Sequence, residues 1–215
     1  MAVEPRQDWK ERLGRWFARF ATERVVAHPG LWRVFRGPVR WQFERLATYW
    51  DRRRGPESLV PLAAALERIE PPVRVLDLGT GTGKAARLAA ERFPAATVVG
   101  VDLAPGMVAE AGALLPPELA GRVRFETGDA SELRFADGVF DLVILLNMIP
   151  FFPELARVTA SGGAIVLAFS SGPRTPIYVP PDTVRRGLRP FGFSEAEELA
   201  AGAGTAMIVR RPPSA

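Results

Sequence analysis

The chain has 215 residues, 47% hydrophobic and 24% charged, which suits one α/β domain with a full core better than two. It contains no cysteine, so disulfides, thiolate-ligated zinc and cysteine nucleophiles are excluded, and no metal centre is expected. Its charge is uneven. Residues 1–54 carry 13 basic and 6 acidic side chains, a net of +7, while the rest carries 15 and 18, which argues against a phosphate-binding face across the whole protein.

Residues 1–55 form one compositional block that holds all five tryptophans. Trp9, Leu13, Trp16, Phe17 and Phe20 recur at helical spacing, which predicts an amphipathic helix over 6–27. His28-Pro29-Gly30 ends it, because a residue before proline avoids the α region. A second apolar and basic stretch runs from Leu31 to Trp50, and Arg52-Arg53-Arg54-Gly55-Pro56 makes a charged break.

From Glu57 the pattern alternates between strand and helix. A helix is expected over 57–70, then a strand at 73–78, a glycine loop at 79–83 and a helix at 84–93. Strand 97–102, helix 105–115, and strands at 123–125, 140–146 and 164–169 follow. A helix over 182–189 and late strands at 193–197 and 206–210 complete the series. Such alternation predicts a mostly parallel sheet with helices on both faces, spanning residues 56–215. The start lacks the layout of a signal peptide, and no run approaches the ~18 apolar residues that cross a bilayer. The expected location is therefore cytoplasmic.

The sharpest feature is Val75-Leu76-Asp77-Leu78-Gly79-Thr80-Gly81-Thr82-Gly83, a strand delivering three alternating glycines to a helix start. Glycine permits the sharp turn and a close ligand approach, and free N–H groups there favour a polar ligand. A dinucleotide fingerprint needs a glycine where Lys84 stands. A P-loop needs glycine at Leu78 and a hydroxyl at Ala85. Both rivals fail.

The acids then decide. Asp102 ends the second strand, in register to accept both ribose hydroxyls of an adenosine lying across the strand ends. Asp129, in Gly128-Asp129-Ala130 after the third strand, suits an exocyclic adenine amine, and Asp77 suits the ammonium of a methionine moiety. Three carboxylates on successive strands, with no arginine cluster among them, fit a nucleoside carrying sulfonium and ammonium groups better than a pyrophosphate.

These segments, with Gly100-Val101-Asp102-Leu103-Ala104-Pro105-Gly106-Met107, Phe140-Asp141-Leu142-Val143 and Gly162-Gly163, resemble the class I S-adenosylmethionine-dependent methyltransferases. They are most similar to the branch that includes ubiquinone and menaquinone biosynthesis. The resemblance implies a Rossmann-like sheet of seven strands, the last antiparallel. It also implies S-adenosyl-L-methionine as donor, with Asp77, Gly79 and Gly81 around its methionine part, Asp102 on the ribose, Leu103 on the adenine face, and Asp129 with Ala130 at the adenine edge. Thr80, Gly83, Met107 and Asn147 complete the candidate donor set, Met107 also reading as a core residue of its helix. Phe43-Glu44-Arg45-Leu46-Ala47-Thr48-Tyr49-Trp50-Asp51 is similar to the segment that precedes the core in that branch.

Methyl transfer from a sulfonium is an in-line displacement that needs alignment and exclusion of water, not an obligatory base. Candidates for a catalytic side chain are His28, the sole histidine, Asn147 after the fourth strand, and Tyr178 in the proline-rich loop after the fifth. The acceptor pocket is expected from residues 1–55 and 170–181, for a small or lipophilic molecule of quinone-like or lipid-like character. Residues 1–55 read as a helical cap, as a lid, or as a basic tryptophan-bearing surface resting on anionic membrane at its inner face. Nucleic acid is disfavoured because the arginines mix with acids and no motif is present. The competing expectation is a non-catalytic module of the same fold that contacts membrane or a protein partner. Aminopropyl transfer would need an acid-rich substrate segment, which the chain lacks.

Overall fold

A computed structural model of the chain describes residues 5–47 and 55–213. Tyr49-Trp50-Asp51 and the Arg52-Arg53-Arg54 break lie outside the described residues. The N-terminal segment gives two helices, α1 (Pro5–Ala27) and α2 (Trp32–Leu46), joined by a 3-10 turn at Pro29–Leu31. The core then runs α3 (Val60–Leu66), β1 (Arg74–Leu78), α4 (Lys84–Arg92), β2 (Thr97–Asp102), α5 (Pro105–Ala113), β3 (Val123–Thr127) and β4 (Phe140–Leu146). It closes with α6 (Phe152–Val158), β5 (Thr159–Phe169), α7 (Pro181–Leu188), β6 (Glu195–Ala201) and β7 (Gly204–Arg210).

The seven strands form one sheet in the order β3-β2-β1-β4-β5-β7-β6. All pairings are parallel except those of β7, which runs antiparallel to β5 and β6. This is the Rossmann-like arrangement implied by the resemblance. Chain reversal beside β1, where β2 lies on one side and β4 on the other, is where such sheets open a ligand crevice.

Both faces of the sheet are covered, so its central strands are mostly apolar, with Asp77 of β1 and Asp141 of β4 as exceptions. Leu142, Ile144 and Leu145 of β4 are wholly buried, each worth about 1.5–3 kcal/mol of transfer free energy. Leu62, Leu66 and the alanines of α4 cover one face. Val184 and Leu188 of α7, Leu155 of α6 and, from the N-terminal segment, Val25 and Trp32 cover the other. The Asp141 carboxylate accepts the N–H groups of Val73 and Arg74, pinning the entry to β1.

Differences from the sequence reading concern ends and loops. β5 begins at Thr159, five residues before the expected start, and so absorbs Gly162 and Gly163 into a strand edge. Its bulged register against β4 between Phe140 and Leu142 accommodates the extra length. Helix 57–70 contracts to α3 because Pro56–Leu59 form a 3-10 turn and the chain turns again after Leu66. No helix stands between β3 and β4. Arg157 holds that connection instead, donating to the carbonyls of Leu133 and Phe135 and pairing with Glu154 and Asp137.

Candidate donor-binding site

The glycine loop turns because three of its residues adopt conformations open to glycine: φ is +67° at Gly79, +53° at Gly81 and +81° at Gly83. The N–H groups of Gly79 and Thr80 both donate to the Val101 carbonyl, at 2.8 and 3.0 Å, which clamps the loop to the tip of β2. Arg87 reaches back from α4 to the Thr82 carbonyl.

Two of the glycines are occupied differently from the sequence expectation of a side-chain-free bend. A Cβ at Gly83 would stand 2.7 Å from the Phe125 ring, so glycine there serves packing of the loop on β3 as well as backbone conformation. A Cβ at Gly79 would stand 2.7 Å from the Met148 sulfur, which lies over the bend from the β4 side. Methionine is unbranched and adaptable, so this cover is a soft one.

Asp77 is fully buried in β1. Its Oδ2 accepts the Thr80 hydroxyl at 2.6 Å. Burial pushes its carboxyl up to about 7, against the Thr80 hydroxyl and the Ala86 backbone N–H, which favour the charged form. Two buried side-chain polar atoms among the described residues lack a hydrogen-bond partner, and they are Asp77 Oδ1 and Asn147 Nδ2. Asp77 stands in β1 and Asn147 directly follows the adjacent strand β4, one atom an acceptor and the other a donor. Asn147 has φ +53°, a left-handed conformation that asparagine tolerates better than most residues. Its Oδ1 accepts the Ser170 N–H and hydroxyl, fixing the amide in place beside the end of β5. An unsatisfied buried polar atom costs about 1–3 kcal/mol, so such a pair calls for a ligand.

Asp102 reaches the tip of β2 as the alternation requires. One of its oxygens accepts the Gly81 N–H and the other the Ala104 N–H, both at 2.9 Å. Burial nevertheless raises its carboxyl above the ordinary value, with those backbone bonds opposing. Leu103 is half-buried and packs against the larger core cluster. Asp129, beyond β3, takes the Ser131 N–H and hydroxyl on Oδ1, and Ala130 beside it is buried.

The N-terminal segment completes this region in a way no motif announced. The Trp32 indole N–H donates to both Asp129 oxygens, at 2.8 and 3.1 Å, across 97 residues of sequence. Arg36 lies 3.9 Å from the same carboxylate. Further along α2, Glu44 accepts the Gly106 N–H at the start of α5, where an acid is favoured. Arg15 and Arg19 of α1 donate to the carbonyls of Arg174 and Pro173.

The remaining candidates separate. Met107 is wholly buried with Ala104 and Ala47 under Phe43 and Leu46, so it serves the α2–α5 packing rather than the crevice. His28 is exposed, and its side chain forms no bond to the turn that it opens. Tyr178 packs edge-on to Phe169 at 5.0 Å and lines a cavity of about 260 Å³ with Val179, Val184, Met207 and Glu198. Burial first, and Glu198 second, push its phenol upward, so it is a neutral hydrogen-bond donor near neutral pH and not a base.

Residues 75–163 match the family described as "Methyltransferase domain". Over 119 residues the chain is 44% identical to the demethylmenaquinone methyltransferase of Thermus thermophilus, covering 51% of this chain and 52% of that protein. It is 37% identical over 126 residues to the trans-aconitate 2-methyltransferase of Deinococcus radiodurans, covering 57% and 43%. In fold it resembles the solved phosphoethanolamine N-methyltransferase 2 of Haemonchus contortus in complex with S-adenosyl-L-methionine, with a TM-score of 0.58, 18% identity, and coverage of 74% and 55%. The chain thus spans about half the length of the curated relatives it matches.

Proposed function

We propose, on the match of residues 75–163 to a methyltransferase domain, that this chain transfers the methyl group of S-adenosyl-L-methionine to a small or lipophilic acceptor, quinone-like or lipid-like. Residues 56–215 make the donor-binding domain and residues 1–55 cap it. The observation that carries the reading is the orphaned pair formed by Asp77 in β1 and Asn147 just after β4. Asp77 Oδ1 is a buried acceptor that matches an ammonium, and Asn147 Nδ2 is a buried donor that matches a carboxylate. An amino-acid moiety offers both.

In this reading Gly79 and Gly81 carry the bend beneath the methionine part, Asp102 receives the ribose hydroxyls, and Asp129 with Ala130 receives the adenine edge. Bound there, the donor supplies a sulfonium that is already activated, and the chain supplies alignment and dryness. The acceptor is read from the cavity beside Tyr178. Its wall residue Phe169 directly precedes Ser170, which is bonded to Asn147, so the apolar cavity lies next in the chain to the amino-acid end of the donor. Its lining of Phe169, Val179, Val184 and Met207 suits an apolar ring or chain, and the Tyr178 hydroxyl with Glu198 offers polar points of orientation.

The cap adds a finer element. Trp9, Leu13 and Trp16 share one side of α1 and are more than half exposed, with Arg12 also exposed among them. This arrangement favours contact with an anionic lipid surface, from which a lipophilic acceptor would be drawn. No helix among the described residues is long and apolar enough to cross a membrane.

The test is turnover. With S-adenosylmethionine and a reduced naphthoquinone the protein is expected to release S-adenosylhomocysteine and a methylated quinol, and to leave small dicarboxylic acids untouched. Turnover of the dicarboxylic acids alone would overturn the lipophilic acceptor. Donor binding without turnover on either class would favour the non-catalytic module.

A further inference from the structure

The residue that closes the adenine end of the crevice is a flat aromatic ring with an N–H at its edge. Trp32 is 5% exposed. It packs against Phe151 with ring centres 5.2 Å apart, shares a cluster with Ala130 and Leu133, and gives its indole N–H to Asp129. Those are the features by which an adenine would be held: an apolar slot for the ring and a carboxylate for the amine. Resting on the reading that Asp129 receives the donor's adenine, we propose that Trp32 is a built-in adenine mimic, and that α2 is a latch which holds the donor site closed until it is displaced.

The partners of Asp129 sort into two kinds. The Ser131 N–H and hydroxyl come from two residues along the chain and stay wherever Asp129 goes. The Trp32 N–H comes from another element and bridges both oxygens, and Arg36 stands beyond it, so the face of the carboxylate toward α2 is taken by the protein itself. The methionine end is covered too, by Met148 over Gly79.

The two ends of α2 are tied differently. At its C-terminal end Ala47 is buried with Ala104 and Met107, and Glu44 holds the Gly106 N–H, all at the start of α5. At its N-terminal end the Trp32 ring meets Asp129 and Phe151, its backbone N–H meets the Pro29 carbonyl, and Phe35 rests on the rings of Phe17 and Phe20 of α1. The chain before it is the exposed His28-Pro29-Gly30 segment, which has no side-chain capping bond and includes a glycine with open space around it. That segment can take up the change in backbone angle when Trp32 withdraws, while the Glu44 end stays in place.

A closed state that must open first weakens apparent affinity by the fraction that is open. Removing a hydrogen bond to a charged group from the closed state alone is worth roughly tenfold in that fraction. The latch therefore predicts a gain of affinity on loss of the indole N–H, whereas a tryptophan that merely supports the site predicts a loss.

The experiment is calorimetric titration of the full chain with S-adenosylhomocysteine, using wild type and Trp32→Phe, which keeps an aromatic ring in the slot. Trp32→Phe is expected to bind roughly tenfold more tightly. In parallel, tryptophan emission is followed. Trp9, Trp16 and Trp41 are exposed, so release of the buried Trp32 shifts wild-type emission to longer wavelength on titration, and the shift is absent in Trp32→Phe. Equal or weaker binding by Trp32→Phe, or binding by wild type with no emission shift, overturns the latch. Binding by neither form overturns the donor reading itself, and the latch with it.

Discussion

The Thr80 hydroxyl donates to Asp77 Oδ2 at 2.6 Å and leaves Asp77 Oδ1 buried with no partner. A carboxyl so placed is neutral more easily than one in water, and its proton is therefore coupled to whatever cation arrives. With an unfolded value near 3.8 and a folded value of about 7, Asp77 favours the folded state most below pH 4, and that contribution is lost as pH rises toward 7. A bound ammonium prefers the carboxylate, so donor binding releases a proton near neutrality. Affinity for S-adenosylhomocysteine is expected to fall by up to about tenfold per unit as pH drops below 7. Calorimetry in buffers of different ionisation enthalpy counts the released proton. In Asp77→Asn both the release and most of the pH dependence should vanish.

Asn147 separates backbone strain from recognition. Its φ of +53° suits glycine, so Asn147→Gly adds no backbone strain; it removes the amide with its Nδ2 donor and, by freeing the Ser170 N–H from Oδ1, should cost about 1–3 kcal/mol of stability, leaving the fold intact by circular dichroism. The variant is expected to bind S-adenosylhomocysteine roughly tenfold more weakly, because a donor to a charged carboxylate is gone. Unchanged affinity would remove Asn147 from the site.

Arg157 is predicted to matter for stability and not for binding. It joins Glu154, Asp137 and the carbonyls of Leu133 and Phe135, and so holds the connection that replaces a helix between β3 and β4. Arg157→Ala should cost about 2–3 kcal/mol in urea unfolding. The Glu154 carboxyl is held below its ordinary value, first by its bond to Arg157, so that part of the stability is present above pH 4.5 and lost in acid as pH falls through the depressed value. Glu154→Gln should flatten the acid limb.

The outward side of α1 gives a separate test. Wild type is expected to sediment with phosphatidylglycerol vesicles and not with phosphatidylcholine vesicles, and the double change of Trp9 and Trp16 to Ser should release it. Binding that is indifferent to both tryptophans would assign that side of α1 to another role.

Much of the core was legible because its signals are local. Largely continuous apolar runs mark β1, β2 and β4, and glycine spacing marks the loop at 79–83, since strand and turn are written in adjacent residues. Asp77 and Asp102 are legible as strand acids for the same reason: each sits at a fixed offset from that loop, and they lie in β1 and β2. Trp32 and Glu44 were invisible, because their partners Asp129 and Gly106 lie far along the chain and no spacing rule links a helix face to a distant strand tip. Met148 and Phe125 were missed likewise, since what fills the space beside a glycine is decided by tertiary packing. The early start of β5 escaped because Ser161-Gly162-Gly163 looks like a turn until β7 and its extension are there to pair with it, as Arg211 N–H to the Gly163 carbonyl does.

The central claim is that Asp77 of β1, Asp102 of β2 and Asp129 just beyond β3 hold an adenosyl donor, and Asp102 is its most exacting test. Titration with S-adenosylhomocysteine should show saturable one-to-one binding to wild type, and Asp102→Ala, still folded by circular dichroism, should bind at least roughly tenfold more weakly. Equal affinity in the two proteins would contradict it.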